Sequence, residues 1–327
     1  MVRKNAKKSK GQNVPTLRET FIQLLQKPIY TFIGLCDELN VPPRTVTELI
    51  KDLSASGVKI VQNKNDQYFI GRDIAVDTPQ DQEFDTKLKS GIHRIAILSD
   101  THLGSWYQQL TFLRDFYKRA VDYGVTRFYH AGDVFAGNGR VYKGQEFEIF
   151  INGHDAAVEY AAEKYPKYEG CTTYFIAGNH DLSWYKAAGV DVGKFLTNAR
   201  PDMVYLGQAG AFVNLTDSAK LYLAHPKGNV NYARSYKLQR YIENMAPESR
   251  PQIWVSGHLH TDLNMEYVGV EAFMVGCFEA QNTFLRSLGL YPCIGARILE
   301  IEIEGKEIRS IITRKIKYET PLVKDWD

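Results

Sequence analysis

At 327 residues with 44% hydrophobic content, the chain holds enough apolar material for one large domain plus a small module, and too much to remain disordered. No apolar run reaches about 18 residues, the basic start Met1 to Lys10 leads into polar residues, and Cys36, Cys171, Cys277 and Cys293 form no Cys-x-x-Cys pair; these features argue against a membrane span, a secretory leader, a zinc ribbon and a disulfide framework, so a soluble cytoplasmic protein with reduced cysteines is expected. The net charge of +2 conceals an asymmetry: residues 1–72 hold 12 Lys/Arg against 6 Asp/Glu, a balance of +6, whereas 73–90 hold five acids against two lysines.

Residues 1–14 place Arg3, Lys4, Lys7, Lys8 and Lys10 among small polar residues, the composition of a basic flexible tail, either solvated or a DNA-contacting arm. Thr16-Leu17-Arg18-Glu19 fits a capping box, and Leu17, Phe21, Ile22, Leu24 and Leu25 form the apolar side of a first helix. A second helix, about Phe32 to Leu39, ends before Pro42-Pro43, which suit the start of a third, Arg44 to about Ser56. Val58 to Gln62 and Gln67 to Ile70 flank the polar turn Asn63-Lys64-Asn65-Asp66 and read as a hairpin. This order, over residues 15–72, resembles a winged helix-turn-helix. The resemblance implies DNA contact through Arg44, Thr45, Thr47, Lys51 and Lys64, although such modules also dock proteins. The acidic stretch 73–92 reads as a linker.

Beyond it, apolar strands alternate with helical segments in an α/β pattern, and each strand exits into metal-binding residue types. Arg94 to Ser99 leads into Asp100-Thr101-His102, and Arg127 to Ala131 into Gly132-Asp133. Thr172 to Ala177 leads into Gly178-Asn179-His180-Asp181, Leu221 to Ala224 into His225, and Ile253 to Ser256 into Gly257-His258-Leu259-His260. Five of the eight histidines fall at these exits, a concentration that packing alone does not produce; His93, His130 and His154 fall elsewhere, and His130 reads as a core residue. Two carboxylates, an amide oxygen and several imidazoles suit two divalent ions of manganese, iron or zinc type, with manganese the leading expectation and nickel a further alternative. A carboxylate shared by two cations brings them about 3.5 to 4 Å apart, and a bridging hydroxide then attacks phosphorus.

In this order the five motifs resemble those of the calcineurin-like metallophosphoesterases, over about residues 93–315, with 316–327 as a carboxy-terminal tail. The resemblance implies a four-layer α/β sandwich of two mixed sheets flanked by helices. It also implies that Asp100, His102 and His260 hold one ion, that Asn179, His225 and His258 hold the other, and that Asp133 bridges them. His180 then approaches the scissile phosphate, with Asp181 orienting its ring or capping the following helix. Arg140, in a Gly-rich stretch, is a candidate phosphate donor or an exposed arginine.

The chain lacks the Gly-Asp-x-Val-Asp-Arg-Gly extension of protein phosphatases, and its Gly-Asp-Val-Phe and Gly-Asn-His-Asp look like the double-strand-break repair exonucleases of the superfamily. DNA is therefore the expected partner and substrate. Those nucleases continue into a capping domain and an ATPase-docking segment, for which this chain has no evident room, so a compact nuclease that cuts without an ATPase is expected; homo-oligomerisation is not indicated. Small or cyclic nucleotide hydrolysis and a DNA-binding regulator with a ligand-sensing phosphoesterase half stand as alternatives.

Overall fold

Thr16 starts helix α1 (Leu17–Leu24) through a reciprocal pair of bonds, its hydroxyl accepting from the Glu19 amide while the Glu19 carboxylate accepts from the Thr16 amide at 2.7 Å. Strand β1 (Tyr30–Thr31) leads directly into α2 (Phe32–Leu39), which ends on Asn40 in a left-handed conformation, and Pro43 opens α3 (Pro43–Ala55). Strands β2 (Ile60–Gln62) and β3 (Gln67–Ile70) pair antiparallel and complete a three-stranded sheet in the order β1-β3-β2. Phe21, Leu25, Leu35, Val46 and Leu53 are fully buried between these elements. In this computed structural model the described residues are 15–26, 29–56, 58, 60–62, 66–70, 83–142, 144–228 and 231–326. The chain divides into two compact units, Met1–Pro79 and Gln80–Asp327. The basic tail 1–14, Lys64 and the first part of the acidic stretch lie outside the described residues.

The second unit runs β4 (Glu83–Asp85), β5 (Gly91–Leu98), α4 (Leu110–Asp122), β6 (Arg127–His130), α5 (His154–Lys164), β7 (Thr172–Ala177), α6 (Leu182–Ala188), α7 (Val192–Ala199), β8 (Met203–Gln208), β9 (Gly210–Asn214), β10 (Lys220–Ala224), α8 (Tyr236–Glu243), β11 (Ile253–Ser256), β12 (Leu263–Tyr267), β13 (Val270–Met274), α9 (Thr283–Ser287), β14 (Gly295–Glu304) and β15 (Glu307–Lys317). Two six-stranded mixed sheets result, ordered β15-β14-β5-β6-β7-β8 and β12-β13-β11-β10-β9-β4. Strand periodicity explains their packing. Ile95 and Ile97 of β5 point between the sheets with Val213, Leu221, Leu223, Ile253 and Val255, while Ala96 and Leu98 face the helix layer with Leu113, Phe116 and Ala161. On the outer face of the second sheet, Trp254 and Ala272 pack against Leu238 and Ile242 of α8. Helices therefore cover both sheets, and the α/β sandwich expected from the motifs is present. Among the described residues no helix is long and apolar enough to cross a membrane.

Two segments expected to be peripheral are instead built into this unit. Within the acidic linker, Glu83–Asp85 pairs in parallel with β9, Leu88 is buried between the sheets, and residues from Gly91 belong to β5. The alternation Glu83-Phe84-Asp85 carries a half-buried apolar residue between two solvent-facing acids, and Glu83 pairs with Lys220 at 2.6 Å; net charge obscured that strand pattern. At the other end, the expected tail begins inside β15 and continues to Asp325, whose carboxylate accepts from the Thr111 amide at 2.8 Å and hydroxyl at 2.6 Å. Gln109 at the α4 N-cap makes no side-chain cap bond, so a residue distant in sequence satisfies the first turn of that helix.

Candidate metal centre

Nine candidate site residues follow the carboxyl ends of five strands, three adjacent in one sheet (β5, β6, β7) and two adjacent in the other (β10, β11). Parallel pairing puts these exits side by side, and the chain turns sharply after β5, β6 and β11. Asp100, His102, Asp133, His258 and His260 all hold positive φ, between 45° and 76°. For residues with a Cβ this is a strained conformation, of order 1–3 kcal/mol each, and it persists only where the surroundings over-determine it. Here the loops brace one another: Asp100 Oδ2 accepts from the His258 amide at 2.8 Å, Asp133 Oδ1 from the His180 amide at 2.7 Å, and the Asp133 carbonyl from the His102 amide at 3.2 Å. The close approach explains two motif glycines. A Cβ on Gly178 would overlap Asp133 Oδ1, and one on Gly257 would overlap Ser99 Oγ.

The residues converge as two groups, Asp100 with His102 and His260, and Asp133 with His225 and His258; within each, the donor atoms lie within 4.8 Å of one another. His102 Nε2 and His260 Nε2 are 3.1 Å apart, and Asp100 Oδ1 faces them at 3.7 and 3.4 Å, buried and accepting no hydrogen bond. In the second group His225 Nε2 lies 3.0 Å from Asp133 Oδ2 and 3.2 Å from Asn179 Oδ1. The same Asp133 Oδ2 is 4.0 Å from His102 Nε2, so one carboxylate oxygen faces a donor of each group.

Outer contacts orient the rings. His225 Nδ1 donates to the Ala131 carbonyl at 2.6 Å, which directs Nε2 toward Asp133 and Asn179, and His258 Nε2 donates to the Gly228 carbonyl at 2.9 Å. Burial works against charge throughout the site, but Asp133 and Asp100 outweigh it at His225, which is raised to about 9; burial and the neighbouring His225 lower His258 to about 4. Despite burial, His260 and His102 hold Asp100 well below the usual carboxylate range. Buried carboxylates that stay ionised, facing imidazole nitrogens, make a donor set that divalent cations fit.

A family model of calcineurin-like phosphoesterases matches residues 93–262, just over half of the chain and all five strand exits. The chain belongs to that family. Among solved structures, a novel archaeal phosphodiesterase is similar at 17% identity, with 69% of this chain and 99% of that one covered and a TM-score of 0.40. A conserved protein of Streptococcus pneumoniae described as a predicted phosphoesterase is similar at 14% identity, with 70% and 100% covered and a TM-score of 0.35. Vacuolar protein sorting 29 from Cryptosporidium parvum is similar at 12%, with 69% and 99% covered and a TM-score of 0.34. No curated protein matches. The calcineurin-like phosphoesterases use divalent metal ions, and the two donor groups are the candidate positions for them here.

In this phosphoesterase His180 sits over the first group, its ring edge-on to His102 with centroids 4.7 Å apart. Asp181 neither orients that ring nor caps α6 with its side chain. The Ala136 carbonyl accepts from His180 Nδ1 at 2.7 Å, while the Asp181 carboxylate accepts from the amides of Gly178, Phe135 and Val134 at 2.8, 2.9 and 3.3 Å. Asp181 therefore ties the third exit to the second. Burial and the nearby Asp133 raise it to about 7. His130 is a core residue: Nδ1 accepts from the Gly132 amide at 3.2 Å, Nε2 lies 3.3 Å from Thr101 Oγ1, and burial lowers it to about 3. Arg140 is exposed and does not line the cavity over the donor groups. Arg44 and Lys51 are exposed on α3 of the amino-terminal unit, Arg44 paired with Glu48 at 2.9 Å; Thr47 donates to the Pro43 carbonyl within its own helix, and Thr45 is half-buried.

Sequence reasoning missed several residues of this phosphoesterase site. Tyr142 stacks on His180 at 4.5 Å, donates to the Asn179 carbonyl at 2.7 Å and accepts from Asn179 Nδ2 at 3.1 Å, which points Asn179 Oδ1 at His225. Glu279, buried, accepts from Ser105 Oγ at 2.8 Å and Asn282 Nδ2 at 3.3 Å and lines the cavity beside His102. Its one sequence signal is a single acid inside the otherwise apolar run 273–280. The cavity, about 240 Å³, has a second wall of Phe284, Leu285, Leu288 and Leu290.

Proposed function

We propose that this phosphoesterase is a two-metal phosphodiesterase acting on DNA, a nuclease carried behind a winged-helix module. The observation that carries the two-metal reading is the position of Asp133 Oδ2, which faces His225 on one side and His102 on the other. On this reading Asp100, His102 and His260 hold one ion, Asn179, His225 and His258 the other, and Asp133 is shared. Bound cations would supply an activated water and neutralise charge building on the phosphoryl oxygens. The chain's own residues do the rest. Tyr142 keeps the Asn179 amide oxygen aimed into the second group, and the Ala136 carbonyl fixes His180 with Nε2 free to meet a phosphate oxygen or the leaving oxygen.

The amino-terminal reading rests on the element order α1-β1-α2-α3-β2-β3 and on Arg44 and Lys51 exposed on α3, where a recognition helix would meet phosphates. The test is cleavage by the purified full chain with manganese and no ATPase, on end-labelled single-stranded, duplex and circular DNA beside cyclic nucleotides. Cleavage of DNA is expected, and circles separate internal cutting from resection. Turnover of cyclic nucleotides with none of any DNA form would replace the nuclease by a small-nucleotide phosphodiesterase.

A further inference from the structure

We infer that the cavity over the donor groups is a nucleoside subsite, in which Phe284 stacks on the base of the nucleotide whose phosphate lies at the metal centre. This rests on the phosphodiesterase reading above and names the neutral half of its substrate. One wall of the cavity is His102, Asp133, Asn179, His258 and His260 of the donor groups with His180; the other is Phe284, Leu285, Leu288 and Leu290. Phe284 and Leu288 remain 46% and 50% exposed, a cost that an unliganded surface does not recover.

The wall is also held in place. Asn282 Oδ1 accepts from the Leu285 amide at 2.8 Å, Glu148 Oε1 from the Thr283 amide at 2.8 Å, and the Leu285 carbonyl from the Leu290 amide at 2.9 Å. No lysine or arginine lines the cavity among the described residues, so the described lining offers no cationic side chain to a second phosphate and suits a neutral group beside the scissile one. A half-buried amide, Gln145, lines the same space and makes no side-chain hydrogen bond among the described residues, which offers a donor and an acceptor to a ring edge. An aromatic face, aliphatic neighbours and one uncommitted amide suit a nucleobase, because every base presents a π face and a polar edge.

The test uses three diesters with a common leaving group in the presence of manganese: thymidine 5′-(4-nitrophenyl phosphate), phenyl 4-nitrophenyl phosphate and methyl 4-nitrophenyl phosphate. Water cleaves the bond from phosphorus to the nitrophenyl oxygen, releasing 4-nitrophenolate and leaving the remaining monoester. The expected kcat/KM is about tenfold higher for the thymidine ester than for the methyl ester, and Phe284→Ala and Leu288→Ala each bring that ratio toward one, chiefly through KM. Equal rates on all three esters, or equal losses on all three in Phe284→Ala, overturn the subsite. Equal preference for phenyl and thymidine esters overturns the nucleoside assignment in favour of a general apolar site. No hydrolysis of any ester overturns the phosphodiesterase reading itself, a result distinct from each of these.

Discussion

In the amino-terminal unit the residues proposed to act, Arg44, Thr47 and Lys51, are exposed, and Arg44 and Thr47 close their local contacts within α3, whereas in the catalytic unit Asp100, His102, Asp133, His225 and His260 are buried and face one another across five loops. Exposed charge costs a fold almost nothing and is therefore compatible with many roles. Buried carboxylates and strained backbone cost several kcal/mol and persist only where something repays them. The metal centre consequently has a reading that mutations should break sharply, and the proposed DNA surface one that they should erode.

The largest effect is expected at the shared carboxylate. Asp133→Ala should lower phosphodiester turnover at least about a thousandfold and strip metal from both positions, read by elemental analysis of dialysed protein; retention of two metals would break the two-group picture. Chelation of the wild-type protein should give the same loss, reversed by manganese. His180→Ala comes next, with turnover down about a hundredfold or more and metal content kept, because its ring touches His102 without joining either donor group. A smaller change is expected for Tyr142→Phe, which removes the hydroxyl that aims Asn179; manganese affinity at one position should weaken about tenfold in a titration, the other staying unchanged. Smallest, Arg44→Ala and Lys51→Ala should each weaken DNA binding a few-fold and reduce the salt dependence by about one counterion, with turnover of methyl 4-nitrophenyl phosphate unaltered. DNA affinity that stays flat across a salt titration would remove the amino-terminal unit from nucleic-acid binding.

Both the helices of the first unit and the five strand exits were legible because each rests on local pattern: capping boxes, prolines and apolar periodicity are written within about a dozen residues. Loops that meet only in three dimensions were not. Asp181 is next to His180 in sequence, yet its carboxylate faces the backbone around Val134, since the turn after β7 sends consecutive side chains in different directions. Tyr142 and Glu279 sit outside every ordered motif, and only the meeting of distant loops brings them to the site. The strand Glu83–Asp85 was hidden by its charge, and Asp325 by its distance from the helix it caps.

Strand β5, which delivers Asp100 and His102, is flanked by β6 on one side and by β14 on the other. The second neighbour is made roughly 200 residues after the first strand, so during synthesis β5 waits with one edge bare until almost the whole unit has emerged. Nascent or truncated chains that stop before Gly295 would expose an apolar strand edge open to pairing with other copies, and their yield should depend on chaperones more than that of the intact protein.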